Sequence, residues 1–450
     1  MLAIDPFVAG ESRPSADRAV LRDVHGEPLA DVGLAPRLAA QAAVDRLRRL
    51  ADGLPPEPEV FRTAARLFAT AELDGESPDA YVHRTVRGTG LASTTVRRAL
   101  TDMATEIEAL PAAAAAELPA ARLRPTHRVH RAPSGRIFTA VMASNHPLPH
   151  ATWVQPLYHG YSVVVRPGSR DPFTPRRLAA ALLTAGLPPE KLALLPSPHA
   201  VGSFLLNAAD RGIVYGNDQA VSAWADHARV ATRGPGRSRA LLDAPLTDAL
   251  LDHLALSAAF DGGTRCTNLS AVLTSNDVHA TASALAERLA RIPVLPALDP
   301  RSELLVVGHE RADALRRQMA KLATELGDHS TPLYGDDFLV DLGDGSFLPR
   351  PMVLAADRAD HPAVGTELAF PFVVVAPWSP ADGIAPLRPS LVLNLLTDNA
   401  EITGRALLDP SVRKITDGAV LPWEPVPGMP HDGNYTAFLL DAKGVVTPAG

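Results

Sequence analysis

Four short apolar runs follow one another from residue 137 onward, IFTAVMASNHP, YSVVVRPGS, KLALLPS and GIVYGND, with segments of helical pattern between them. The first occupies 137–147; its strand character stops at Asn145, and Pro147 and Pro149 close it. Strands that alternate with helices pair in parallel, because a parallel neighbour is reached only through a crossover long enough to hold a helix. The expectation is an α/β domain of nucleotide-binding type.

The rest of the chain is consistent with a globular protein built around such a domain. It has 450 residues, 46% of them hydrophobic and 21% charged, and a net charge of −7, which gives room for two or three domains. There is no basic excess to favour nucleic acid and no uninterrupted apolar run of membrane-spanning length. The start, MLAIDPFVAGESRPSADR, carries Asp5 and lacks the positive lead of a signal peptide, so a cytoplasmic location is expected. One cysteine, Cys266, cannot be half of an internal disulfide. It lies in FDGGTRCTNLSAVLT, behind a run at 244–259 whose Leu246, Leu250, Leu251, Leu254 and Leu256 read as a buried helix ending in a loop. That placement suits a nucleophile; the ordinary alternative is a small buried hydrophobe.

In order and spacing these segments resemble the aldehyde dehydrogenase superfamily over about 46–423. Ser144, Asn145, His146 and Pro147 match the family's strand-end tetrapeptide, and VVVRP at 163–167 matches its cofactor strand ending in Lys-Pro, with Arg166 for lysine. AGLPPEKL at 185–192, IVYGND at 213–218, FDGGTRC at 260–266 and TELAFP at 366–371 follow in the family's order. The resemblance implies Cys266 as nucleophile and Asn145 as oxyanion donor. It also implies Arg166, Pro167, Ser169, Arg170, Gly216, Asn217 and Glu367 as cofactor-binding residues, with Glu367 on the nicotinamide ribose. The implied fold is α/β: a Rossmann-type cofactor domain, an α/β catalytic domain and a small β oligomerisation element. GPGRSR at 234–239 lacks the third glycine of a dinucleotide fingerprint, which this family does without.

Two departures from the family pattern bear on function. Hydrolytic members carry a general-base glutamate just before a Gly-Gly-Lys-Ser run; here VATRGPGRSRALL at 230–242 puts Arg233 or an immediate neighbour in that place, and no acid lies between Asp226 and Asp243. A base of this kind is worth roughly 10²- to 10⁴-fold, so an acyl-enzyme at Cys266 is expected to resist water and to exchange with a thiol such as CoA or a carrier protein. An acyl-thioester reductase or acylating aldehyde dehydrogenase is the leading expectation. Oxidation of an aldehyde to a free acid and a catalytically silent binding homologue are the alternatives. The second departure is Ser169 where NAD-preferring members commonly carry glutamate; with Arg166 and Arg170 beside it, NADP(H) is expected over NAD(H). Arg265, Arg233 or Arg237 could supply the positive field that a thiolate needs.

The landmarks divide the chain into an N-terminal helical part of the cofactor domain (1–121), a β-ribbon (122–136), the cofactor sheet (137–234), a catalytic domain (235–425) and C-terminal strands (426–450). Within the first, 1–32 reads as an extended lead, and a helical pattern ends near Leu110, with the alanine tract after it as helix end plus connector. His127 and His130 read as strand-surface residues, and no metal site is expected. The tail reads as strand, turn, strand over 435–447. By resemblance it pairs with the ribbon and a neighbouring subunit, implying a homodimer or homotetramer. The family's closing Pro-Phe-Gly-Gly segment is replaced here by LPWEPVPGMPHDGNYTAFLL, and His431 within it is a candidate to enter the substrate pocket.

Overall fold

The computed structural model describes residues 1–118, 122–124, 126–335, 337–423, 426 and 428–448. The runs singled out above form a seven-stranded sheet in the order Val230–Arg233, Arg211–Tyr215, Ile137–Val141, Ser162–Arg166, Leu192–Leu194, Phe7–Val8, Glu11–Ser12. The first five are parallel. Their side chains alternate between two cores: Val163 and Val165 pack with Phe61, Met103 and Trp153 on one face, and Val164 packs with Val44, Leu47 and Leu205 on the other. The sequence direction reverses between Ile137–Val141 and Arg211–Tyr215, which places a crevice beyond their carboxyl ends.

A second seven-stranded sheet runs Gly327–Asp328, Met352–Ala355, Phe372–Pro377, Leu269–Thr274, Ser238–Leu242, Ser390–Leu396, Val412–Asp417. All its pairings are parallel except the first. It too is covered on both faces: Leu241, Leu273 and Val374 point into one core, Ala240, Val272 and Val373 into another. The architecture is α/β with two doubly covered parallel sheets, as expected. Among the described residues no helix is long and apolar enough to cross a membrane.

Three expectations need correction. The 1–32 segment is not merely an extended lead: Leu2–Ile4, Pro28–Gly33 and Arg18–Arg22 form their own sheet, and Phe7–Val8 adds an antiparallel strand to the first large sheet. The helix expected to end near Leu110 runs Ser93–Ala116, straight through Pro111. The roughly 3 kcal/mol that an interior proline costs is outweighed by the alanines around it and by burial of Met103, Ile107, Leu110 and Ala114 on one face. The tail is a short helix, Tyr435–Leu439, capped by the Asn434 side chain on Ala437 N, and then one strand, Leu440–Val446. That strand pairs antiparallel with His127–Pro133 along its whole length, so the turn expected at 441–444 is ladder instead. The ribbon itself is as expected, Arg122–Arg124 against His127–Pro133.

Candidate active site

The helix Asp248–Ala259, capped by the Thr247 side chain on Leu250 N, delivers the chain to the loop that carries Cys266. The backbone there turns through Asp261 at φ +51, outside the range most residues adopt. Cys266 is fixed from its carbonyl side: Ser238 Oγ donates to Cys266 O at 2.9 Å, and a Cβ on Gly236 would stand 1.9 Å from the same oxygen. Only glycine lets the chain leading into the Ser238–Leu242 strand approach the Cys266 loop so closely.

Asp261 is the anchor of the loop. Its side chain is 0% exposed and receives Arg265 Nε at 2.5 Å, His146 Nε2 at 3.2 Å and a short contact from Arg98. Leu148 N donates to His146 Nδ1, so the ring hydrogen sits on Nε2 and points at Asp261. Burial opposes the charge on Asp261, yet the hydrogen bond from His146 and the charges of Arg265 and Arg98 outweigh it and hold the carboxyl at about 2. Arg265 also donates to Asp102 at 2.8 Å on the helix Ser93–Ala116. Both of its ion pairs are thus with aspartates. His146 follows Asn145 in the chain and Arg265 precedes Cys266, so this network ties the strand-end turn to the Cys266 loop. Asn145 Nδ2 donates across the same junction to Thr264 O at 3.2 Å.

A cavity of about 1150 Å³ opens above this junction, and Cys266, Asn145, Arg170, Gly216, Asn217 and Glu367 all line it. Gly216 and Asn217 follow the Arg211–Tyr215 strand and Asn145 follows Ile137–Val141, so they sit at the point where the strand order reverses. The remaining predicted residues do not line it. Arg166 is buried, with Nη2 on Ser197 O at 2.9 Å and Nε without a partner; Pro167 is buried; Ser169 is exposed. Arg170 Nε donates to Gly88 O at 3.0 Å. The two guanidiniums that flank Ser169 in sequence thus each engage a backbone carbonyl, and neither reaches the other side of Ser169 as a pair.

The cavity's charge is distributed by residues from distant segments. Burial, with the negative charges of Glu367 and Asp432, pushes the Cys266 thiol up to about 12, and Arg233 opposes them. Of the three candidate arginines, Arg233 is the one that lowers the thiol's value. Arg237 instead pairs with Asp218 at 2.6 Å and gives its backbone N–H to Glu367 Oε2 at 2.8 Å. Burial holds Glu367 at about 7 despite hydrogen bonds from Arg237 and Gly236. Glu106, an exposed residue of Ser93–Ala116, also lines the cavity, with Asp102 near it. Glu106, Asp432 and Arg413 are among the lining residues not singled out from the sequence. The signal for Asp432 was present in MPHDGN, where the family has Pro-Phe-Gly-Gly. Glu106 had no signal beyond helical spacing. His431 does line the cavity, at its exposed edge. Among the described residues no group of His, Cys, Asp or Glu could hold a metal.

Residues 10–385 match the model of the aldehyde dehydrogenase family. No curated protein matches the chain by sequence. Among solved structures, an indole-3-acetaldehyde dehydrogenase complexed with NAD+ superposes with TM-score 0.84 at 17% identity, covering 99% of this chain and 97% of that one. Gamma-glutamyl-gamma-aminobutyraldehyde dehydrogenase from Burkholderia cenocepacia gives 0.82 at 18%, over 99% and 97%. An NAD-dependent aldehyde dehydrogenase from Sinorhizobium meliloti gives 0.81 at 16%, over 100% and 96%.

Proposed function

The chain belongs to the aldehyde dehydrogenase family, and from that premise we propose that it interconverts an aldehyde and an acyl thioester through an acyl-enzyme on Cys266, using NADP(H). The observation that carries the reading is Arg233: a guanidinium stands in the cavity where a deacylating glutamate is expected, and it has no lone pair with which to take a proton from water.

The residues fit a nicotinamide dinucleotide. The crevice at the strand reversal ends in Gly216 and Asn217, Glu367 faces the same cavity, and Arg166 Nε and Ser197 Oγ lie buried without partners at the end of Ser162–Arg166. When bound, the cofactor supplies hydride exchange at the carbonyl carbon. Cys266 Sγ adds to that carbon, and its thiol proton must leave first, which a thiol held near 12 resists. Asn145 Nδ2 and the Cys266 N–H are the donors for the oxygen that becomes negative. An incoming thiolate attacks the resulting thioester carbonyl, forms the new C–S bond and returns the pair of electrons to Cys266 Sγ. NADP(H) is preferred over NAD(H) because Ser169 puts no carboxylate against a 2′-phosphate. A homodimer is proposed through Leu440–Val446, which among the described residues pairs on one side only.

A second reading, oxidation to the free acid, draws on Asp432, a carboxylate in the same cavity. Its oxygens are engaged by Arg233 at 3.0 Å and Arg413 at 3.3 Å, and the two cations favour its charged form and make it a weak base. The deciding experiment follows NADPH formation from NADP⁺ over a panel of aldehydes, with and without CoA, and identifies the acyl product. CoA-dependent turnover to a thioester supports the acylating reading, and free acid without CoA overturns it.

A further inference from the structure

Two guanidiniums bracket a single carboxylate in the cavity wall. Arg233, ending the strand Val230–Arg233, reaches Asp432 Oδ2 with Nη1 at 3.0 Å; Arg413, on Val412–Asp417, reaches Oδ1 with Nε at 3.3 Å. Each oxygen has its own cation, the arrangement a bound carboxylate wants. All three residues line the cavity that Cys266 lines, and both Arg233 and Asp432 act electrostatically on its sulfur.

The two arginines and the aspartate are held differently. Both guanidiniums come from strands of the two large sheets, whereas Asp432 belongs to a loop. Gly433, just after it, has φ +84 and nothing within 4 Å of a Cβ built on it, whereas Gly428, before it, packs against Ala113 and Ala116 of the helix Ser93–Ala116. The carboxylate can therefore swing out without breaking a helix or strand, while the cations stay. With Arg413 54% exposed, water or another anion can take over from the carboxylate when the loop moves out.

We propose that Arg233 and Arg413 form a carboxylate subsite, normally filled by Asp432, that takes the distal carboxylate of an aldehyde or acyl substrate whose reacting carbon stands at Cys266. The proposal rests on the reading of Cys266 as the nucleophile and adds to it the substrate class, a short chain with a carboxylate at its far end. Asp432 then acts as an internal competitor that keeps the subsite closed to neutral substrates.

The test is calorimetric titration of the full chain with glutarate, its uncharged diamide and inorganic phosphate, in wild type, Asp432→Asn and Arg413→Met. Removing the competing charge in Asp432→Asn is expected to tighten glutarate about tenfold, Arg413→Met to weaken it by a similar factor, and the diamide not to bind. Phosphate binding in place of glutarate overturns the carboxylate assignment. Diamide binding equal to glutarate, or glutarate binding unaffected in an Arg413→Met protein with wild-type circular dichroism, overturns the subsite altogether. Because binding is read without turnover, a failed proposed function shows only in the activity assay, and good turnover of neutral aldehydes with no glutarate binding sinks the subsite alone.

Discussion

The loop that carries Cys266 and the segment that carries Asp432 meet in one cavity, and both depend on an aspartate paired with arginines. Asp261 has a side chain shut off from solvent and partners on three elements; Asp432 is 18% exposed and is held by Arg413, itself 54% exposed. A buried carboxylate cannot exchange its partners, because any vacancy leaves a charge in a medium that does not solvate it. A carboxylate at a cavity edge can, because water or a ligand takes over. The first arrangement fixes a geometry, and the second leaves room for a substrate.

Substitutions can break that contrast or sharpen it. Cys266→Ala is expected to abolish hydride transfer, a loss on the order of 10⁴-fold or more, with melting temperature unchanged, as read by NADPH formation and calorimetry. Asp261→Asn leaves Arg98 and Arg265 without their shared anion and is expected to cost about 3–5 kcal/mol of stability in denaturant titration. A loss as small as that of a surface pair would erase the distinction between the two regions. The same residue predicts a pH dependence. Its folded value of about 2 lies below the ordinary 3.8, so its stabilisation is complete above roughly pH 4 and drains as pH falls toward 2. Acid unfolding of Asp261→Asn should therefore be shallower over that window.

Asn145→Ala removes one oxyanion donor and is expected to lower kcat by about 10²- to 10³-fold with a much smaller change in KM. The smallest effects concern the sulfur itself. With the thiol near 12, alkylation by iodoacetamide should climb with pH and show no plateau below roughly pH 10. Arg233→Met removes a positive charge and should slow alkylation about threefold at fixed pH, while Asp432→Asn should speed it by a similar factor. Shifts in the same direction for both would mean that the loop packs on the thiol rather than acting on it by charge.

Much of this molecule is legible in the residues. VVVRP and GIVYGND announced strands whose alternation with helices left only a parallel sheet, and Asn145, Cys266 and Glu367 do converge on one cavity. Pro111 misled because a local rule against interior proline met a helix stabilised by burial, and the tail misled because a strand's partner decides whether 441–444 turns. Arg166 and Arg170 read as a pair from their spacing, yet Ser197 O and Gly88 O, both far along the chain, claim them. Sequence alone determined the elements and the chemical types at the site, because propensity and periodicity act over a few residues. Only the tertiary structure decided which charges face one another: Arg233 meets Asp432 and Arg265 meets Asp102 through contacts between residues far apart in the chain, and a charge's role is set by what surrounds it rather than by what precedes it.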